Sequence, residues 1–253
     1  MVRNCFKYLL GLILGVILLS GCHYAEMIEY NDIPRIVFVG TDKRGNDSYD
    51  VSTLHTALNF GLHLKGDSIQ CDTIEVKIRL LGDIMENPLK ISLNTEPVEK
   101  YPEAVMEFLN PYSLKDSAYS ATLKVVVNRP AERHKEYKAN IVFDFANSDV
   151  AMGLDTLQYY AISITDEVTY ELLKIEEEDW TDYIQPTIGV YSENKARFMI
   201  MTLKMTDFGT LTYSWVLRRN AVLLRKALDH YNQVNSDNKL KDENGNFISF
   251  DPE

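Results

Sequence analysis

Over residues 58–164, apolar and polar side chains alternate with a period of two. Leu58, Phe60, Leu62 and Leu64 are separated by Asn59, Gly61 and His63, and Ile74, Val76, Ile78 and Leu80 by Glu75, Lys77 and Arg79. The same alternation marks residues 89–93, 123–127, 137–145 and 160–164. A period of two places successive side chains on opposite faces, so each stretch predicts a strand with one face in a core and one in water. An earlier apolar stretch, residues 33–39, contains Pro34. Its missing N–H places this strand at a sheet edge or Pro34 at a strand start. Turn-forming clusters such as Gly45-Asn46-Asp47-Ser48, Gly66-Asp67-Ser68 and Asn128-Arg129-Pro130 punctuate the series. Roughly seven or eight short strands with no helical pattern between them predict a mainly β fold. The expected architecture is an antiparallel immunoglobulin-like β-sandwich over residues 33–170.

Beyond residue 170 the period changes. Ser192 is placed to cap a helix in which Ala196, Met199, Ile200 and Leu203 share a face. A second helix is marked by Leu217, Ala221, Leu224, Leu228 and Tyr231, with Arg218, Arg225, Lys226 and Asp229 opposite. That stripe is expected to pack on the sandwich or on the first helix, giving a small α-helical or α+β region over residues 171–253. Glu176-Glu177-Glu178-Asp179 reads as a solvated connector rather than a metal site, because adjacent like charges repel and stay hydrated. Asp242-Glu243-Asn244-Gly245-Asn246 carries the Asn-Gly pair of a tight hairpin turn before Phe247, Ile248 and Phe250. An EF-hand is not assigned there.

The first residues are organised differently. Arg3 and Lys7 precede an apolar run over residues 8–19, followed by Leu19-Ser20-Gly21-Cys22. This is the layout of a signal peptide, and the run is shorter than the roughly 20 apolar residues of a spanning helix. Small residues before a cysteine point to a lipoprotein signal peptide over residues 1–21, lipidation of Cys22, and a polar tether over 22–32; an ordinary secretory signal in which Cys22 is incidental is the alternative. Several acyl chains on one residue make release from a membrane negligible. Removing 21 of the 253 residues leaves 232, and losing Arg3 and Lys7 takes the net charge from −11 to −13. Nucleic acid and anionic lipid surfaces are therefore disfavoured as direct partners, and the membrane link is expected through the anchor alone. Of the three cysteines, Cys71 is the only thiol left after processing and lipidation of Cys22, and it reads as a small apolar strand residue.

Catalytic and metal-binding patterns are weak. No Gly-x-Ser-x-Gly elbow and no phosphate-binding Gly-x-x-x-x-Gly-Lys loop is present, and His55, His63, His134 and His230 have no ligand spacing. No catalytic residue, metal ligand or cofactor is assigned. Asp144, Asp149 and Asp155 crowd one loop region, in a spacing that matches no known calcium cage. Tyr112, Tyr119, Tyr159, Tyr160 and Trp215 are candidates for a binding platform, with the core as their ordinary destination. Two readings follow. One is a non-enzymatic binding or scaffolding lipoprotein; the other is a divergent envelope hydrolase acting on glycans.

Several short motifs in order, Val76-Lys77-Ile78-Arg79-Leu80-Leu81-Gly82, Trp180, Gly189-Val190-Tyr191-Ser192, Lys195, Phe198 and Asp242-Glu243-Asn244-Gly245-Asn246-Phe247, follow the lipoprotein signal. In this order they resemble the Bacteroidetes envelope lipoprotein family called domain of unknown function 4843. The resemblance covers nearly all of the mature chain. It implies an outer-membrane lipoprotein, on the periplasmic face or the cell surface, serving a nutrient or glycan uptake locus beside a transporter and surface-lipoprotein pair. It carries no catalytic residues. Surface lipoproteins of those bacteria often have an acid-rich stretch after the lipidated cysteine, and here His23-Tyr24-Ala25-Glu26-Met27 stands instead. Envelope proteins of that phylum are O-glycosylated at Asp-Ser/Thr-apolar triplets, of which Asp67-Ser68-Ile69, Asp72-Thr73-Ile74, Asp116-Ser117-Ala118 and Asp155-Thr156-Leu157 are examples. The same pairs also serve as turns entering strands. Replacing Cys22 with Ser is expected to abolish labelling by radioactive palmitate in the native host; retained labelling would contradict the anchor.

Overall fold

A computed structural model describes residues 33–82, 87–115 and 118–251. The expected signal peptide, Cys22 and the tether lie outside the described residues, as do Asp116 and Ser117 of one Asp-Ser triplet. Among the described residues twelve strands form: β1 (Arg35–Thr41), β2 (Asp47–Ser48), β3 (His55–Asn59), β4 (Cys71–Leu81), β5 (Leu89–Ile91), β6 (Leu93–Pro97), β7 (Met106–Phe108), β8 (Tyr112–Leu114), β9 (Ser120–Asn128), β10 (Tyr137–Phe143), β11 (Ala151–Met152) and β12 (Tyr159–Thr165). One sheet runs β11-β1-β4-β9-β7 with β2 on β1, the other β3-β12-β10-β6, and β5 pairs with β8. The fold is mainly β, an immunoglobulin-like sandwich of largely antiparallel sheets followed by a helical region. Phe38 of β1 stacks on Phe143 of β10 with ring centroids 4.1 Å apart, and Tyr160 of β12 lies tilted beside it, joining the two sheets through aromatic contact.

The period-two stretches at 74–80, 123–127 and 160–164 lie in strands with one face buried. Two expectations are corrected. The strand expected from Leu58 to Leu64 ends at Asn59, whose side chain accepts from the Gly61 amide at 2.9 Å and turns Phe60–Leu62 into a 3-10 turn. Residues 89–93 are two strands in different sheets: Ser148 Oγ bonds the Ser92 amide at 2.8 Å, and the Ser92 hydroxyl donates to Asn147 O at 3.0 Å. These bonds satisfy Ser92 where the chain changes sheet. Pro34 sits just before β1, at the strand start that was one of its two expected places, and β1 lies inside its sheet with Ile36, Val37, Phe38 and Val39 all buried. Two pairings are parallel, Arg35 with Ala151 in β1–β11 and His55 with Ala161 in β12–β3.

A second cluster of buried residues runs from Val168 to Phe250, separate from the sandwich core that ends at Ile164. It is built on α1 (Glu177–Asp179), a π-helical turn (Trp180–Ile184), α2 (Gln185–Ile188), α3 (Glu193–Leu203) and α4 (Ser214–Val234). The acidic run is thus a first helical turn rather than a connector, with its carboxylates at the end that favours anions. Trp180 is wholly buried against Tyr170, Tyr191 and Phe208. In α4, Leu217, Ala221, Leu224 and Leu228 are the buried stripe, packed on α3.

Buried charge joins the sandwich to these helices. Asp166, at the exit of β12, accepts from Arg129 Nε at 2.7 Å and Nη2 at 3.0 Å, and from Arg197 Nη1 of α3 at 2.6 Å. Arg197 also pairs with Glu193 one helical turn earlier, and Asp67 reaches Arg129 and Arg133 at 2.7 Å and Arg197 at 3.3 Å. Three guanidinium groups thus face three carboxylates. Burial pushes the Asp166 carboxyl up, but the hydrogen bonds and charges of Arg129 and Arg197 outweigh it and hold it below its ordinary value. A depressed folded-state pKa contributes stability that is fully present above the unfolded value of about 3.9 and is lost as pH falls through the folded value. Asp166→Asn leaves two buried guanidinium groups undercompensated and is expected to cost about 3–5 kcal/mol in denaturant unfolding at neutral pH. A loss below about 1 kcal/mol, the value of an exposed pair, would contradict this account.

Candidate functional site

Two distant stretches meet at the N-terminal end of α3. Ile188 ends α2, and Gly189 adopts φ +79°, a left-handed turn that lets Val190, Tyr191 and Ser192 double back. Ser192 accepts from the Lys195 amide at 3.1 Å and caps α3. From the far end of the chain, residues 242–246 form a hairpin closed by the Lys241–Phe247 bridge. Asp242 Oδ1 accepts from the amides of Asn244 at 2.9 Å and Asn246 at 2.8 Å, while Oδ2 accepts from Asn246 Nδ2 at 3.1 Å. Glu243 receives the Asn194 amide in the first turn of α3, and Asn194 Nδ2 donates to Lys241 O at 3.0 Å, pinning the hairpin to the positive end of the helix. Arg225 of α4 clips both sides, donating to Thr187 O at 3.1 Å and Phe250 O at 2.8 Å.

Between the stretches lies an open groove of about 310 Å³, within the range of small-ligand sites. Lys195 forms its floor. Only 4% of this side chain's residue is exposed, and its ammonium donates to Ile188 O at 2.9 Å and Val190 O at 2.7 Å beside the Phe250 ring. Phe247, 67% exposed, and Val190 add apolar surface, while Asn246, Ser192, Ser249 and Asp251 also line the groove. The two carboxylates here are already engaged. Asp251 accepts from the Ser249 hydroxyl at 2.7 Å and pairs with Arg225 at 3.2 Å. Desolvation raises Asp242, but the donors from Asn246, Asn244 and Gly245 prevail and hold it below its ordinary value, so it stays ionised and is a poor general acid. Burial pushes the Tyr191 hydroxyl up, and it donates to Val168 O at 2.8 Å, which keeps it neutral. The arrangement suits contacts with polar groups better than proton transfer.

The residues singled out from sequence are distributed as follows. Gly189 to Ser192, Lys195 and residues 242–247 come together here; Asp251, Ser249 and Arg225 were missed, since nothing in their local sequence distinguishes them. Cys22 lies outside the described residues. Cys71 is exposed rather than packed, because the inward face of β4 carries Ile74, Val76, Ile78 and Leu80 and Cys71 falls on the opposite parity. Asp144 and Asp149 brace loops through Asn147 Nδ2 and the Lys90 amide, and Asp155 opens a 3-10 turn. Among the described residues no group of three or more His, Cys, Asp or Glu side chains is arranged to hold a metal. His134 approaches Glu193 at 3.0 Å on the rim of the buried charge cluster, while His55 and His230 are exposed. Tyr160 is buried and Tyr112 donates to Lys124 O at 2.7 Å, whereas Tyr119, Tyr159 and Trp215 are exposed. A second loop repeats this geometry: Asp42-Lys43-Arg44-Gly45-Asn46 folds with the same Asp-to-Asn bonds as 242–246.

No protein-family model matches the chain, and no curated protein matches it. Solved structures similar to part of it include the apo form of the Calx CBD1 domain, at 13% identity and TM-score 0.35, covering 54% of this chain and 100% of that one. Another is the EndoBT-3987 enzyme of Bacteroides thetaiotamicron with a Man5GlcNAc product, at 8% identity and TM-score 0.33, covering 49% of this chain and 30% of that one. At these scores neither bears on what this chain binds or does. Asp242→Ala removes the acceptor of three donors, the Asn244 and Asn246 amides and Asn246 Nδ2, and is expected to lower stability by about 1–2 kcal/mol. It should also expose the Asn244 and Asn246 amides to fast hydrogen exchange. Unchanged exchange at both would contradict the role given to Asp242.

Proposed function

We propose that this chain is a cell-envelope lipoprotein, held to the outer membrane through Cys22, whose body is a non-enzymatic ligand-binding or scaffolding accessory of a nutrient uptake system, with glycans as the ligand class. The supporting observation is the groove at the N-terminal end of α3: an exposed aromatic ring stands beside hydroxyl, amide and carboxylate groups, and its acids are engaged by neighbours. A sugar presents apolar faces and hydroxyl edges, and Phe247, Asn246, Ser192 and Ser249 offer partners to both. The signal layout and the motif order of the sequence support the envelope location and the uptake locus. The four Asp-Ser/Thr triplets fit glycosylation of an exported protein. Calorimetric titration of the mature chain with neutral oligosaccharides tests the reading. Binding is expected, and Phe247→Ala should weaken it roughly five- to tenfold through loss of one aromatic contact. Release of shortened sugars by the wild-type chain would replace this reading with a glycan hydrolase.

A further inference from the structure

We propose that the outward face of α4 rests on an anionic phospholipid surface when the chain is tethered to a bilayer; this rests on the envelope-anchor reading above. The inner face of α4 is occupied by its packing on α3, through Leu217, Ala221, Leu224 and Leu228. Its outer face carries Trp215, 70% exposed, and the exposed Val222 and Leu223, framed by Arg218, Arg219 and Lys226. Trp215 and Val222 stand seven residues apart, so they align along the helix, and the three cations flank that line. Arg218, Arg219 and Lys226 have no ion-pair or hydrogen-bond partner among the described residues, and Asp229 is the single acid on the face. Exposed His230 follows it.

The whole chain carries a charge of −11, which disfavours anionic surfaces at a distance. At contact the local charge decides, because fields from acids more than about 8 Å away are screened at physiological salt. An indole beside arginine and lysine is the side-chain pairing of a membrane–water interface, with the ring at headgroup level and the cations on phosphates. The size of the face points the same way. From Trp215 to Lys226 the helix rises about 16 Å and is about 10 Å across, giving roughly 160 Å². A stable protein interface buries about 800 Å² on each partner. A tethered body needs far less, because the anchor supplies an effective concentration in the millimolar range. The tether of residues 22–32 reaches at most about 40 Å, which holds the body near the bilayer.

The chain carries its own reporter. Trp180 is wholly buried, so a change in emission on vesicle contact reads Trp215. The mature chain from Cys22, with Cys71→Ser to leave one thiol, is coupled to a maleimide lipid in vesicles, so that failure of native lipidation does not affect the outcome. On vesicles containing phosphatidylglycerol, a blue shift and quenching by brominated acyl chains are expected, and both should be lost in the Arg218→Glu/Arg219→Glu/Lys226→Glu variant and at high salt. Emission identical to that of the untethered chain, or quenching that survives charge reversal, would overturn the docking proposal. Absence of palmitate on the native protein would instead remove the anchor reading and leave this measurement standing.

Discussion

Asp166 held between Arg129 and Arg197 is the contact on which the remaining geometry depends. It sits where the last strand of the sandwich ends, and its two partners come from the end of β9 and from the second turn of α3. Two separate apolar cores lie on either side, and neither contributes the directional bonds that fix one against the other. A bidentate guanidinium–carboxylate pair supplies direction as well as attraction. Glu193 and Asp67 complete the balance of charge, without which a buried guanidinium would be unaffordable.

The groove inherits its shape from the same helix. Glu193 and Arg197 turn one side of α3 toward the sandwich, while Ser192 and Lys195 turn the other toward residues 242–251. Rotating α3 to break the charge cluster would also withdraw the Lys195 ammonium from the carbonyls of Ile188 and Val190. The site and the joint are therefore two faces of one element. This geometry explains why the groove acids serve as braces: they close the turns that hold the groove open.

Strands with one face in water were legible because their side chains alternate, and the amphipathic helices because their apolar residues recur at three and four. The split at Ser92 was not, because its partners Asn147 and Ser148 are more than fifty residues away. The interior place of β1 escaped for the same reason: its covering comes from β4 and β11, and Pro34 needed only a strand start. The charge cluster unites Asp67, Arg129, Asp166 and Arg197, which share no local pattern. The groove was partly legible, since both stretches that line it stood out, yet their meeting depends on Arg225 and the Glu243–Asn194 bond. Net charge, a sum over the chain, does not register the local placement of Arg218, Arg219 and Lys226, which have no ion-pair partner among the described residues, on one helix face.

If buried ion pairing makes the sandwich and the helices one cooperative unit, two probes placed in different cores must report one transition. Trp180 fluorescence in a Trp215→Phe background reads the helical core, and an environment-sensitive fluorophore on the exposed Cys71 of β4, in the mature chain with Cys22→Ser, reads the sandwich. Superimposable urea curves are predicted for the otherwise unaltered protein, separating when Arg197 is replaced by Met. Loss of the Trp180 signal at lower urea than the sheet signal, with Arg197 still in place, would contradict the account.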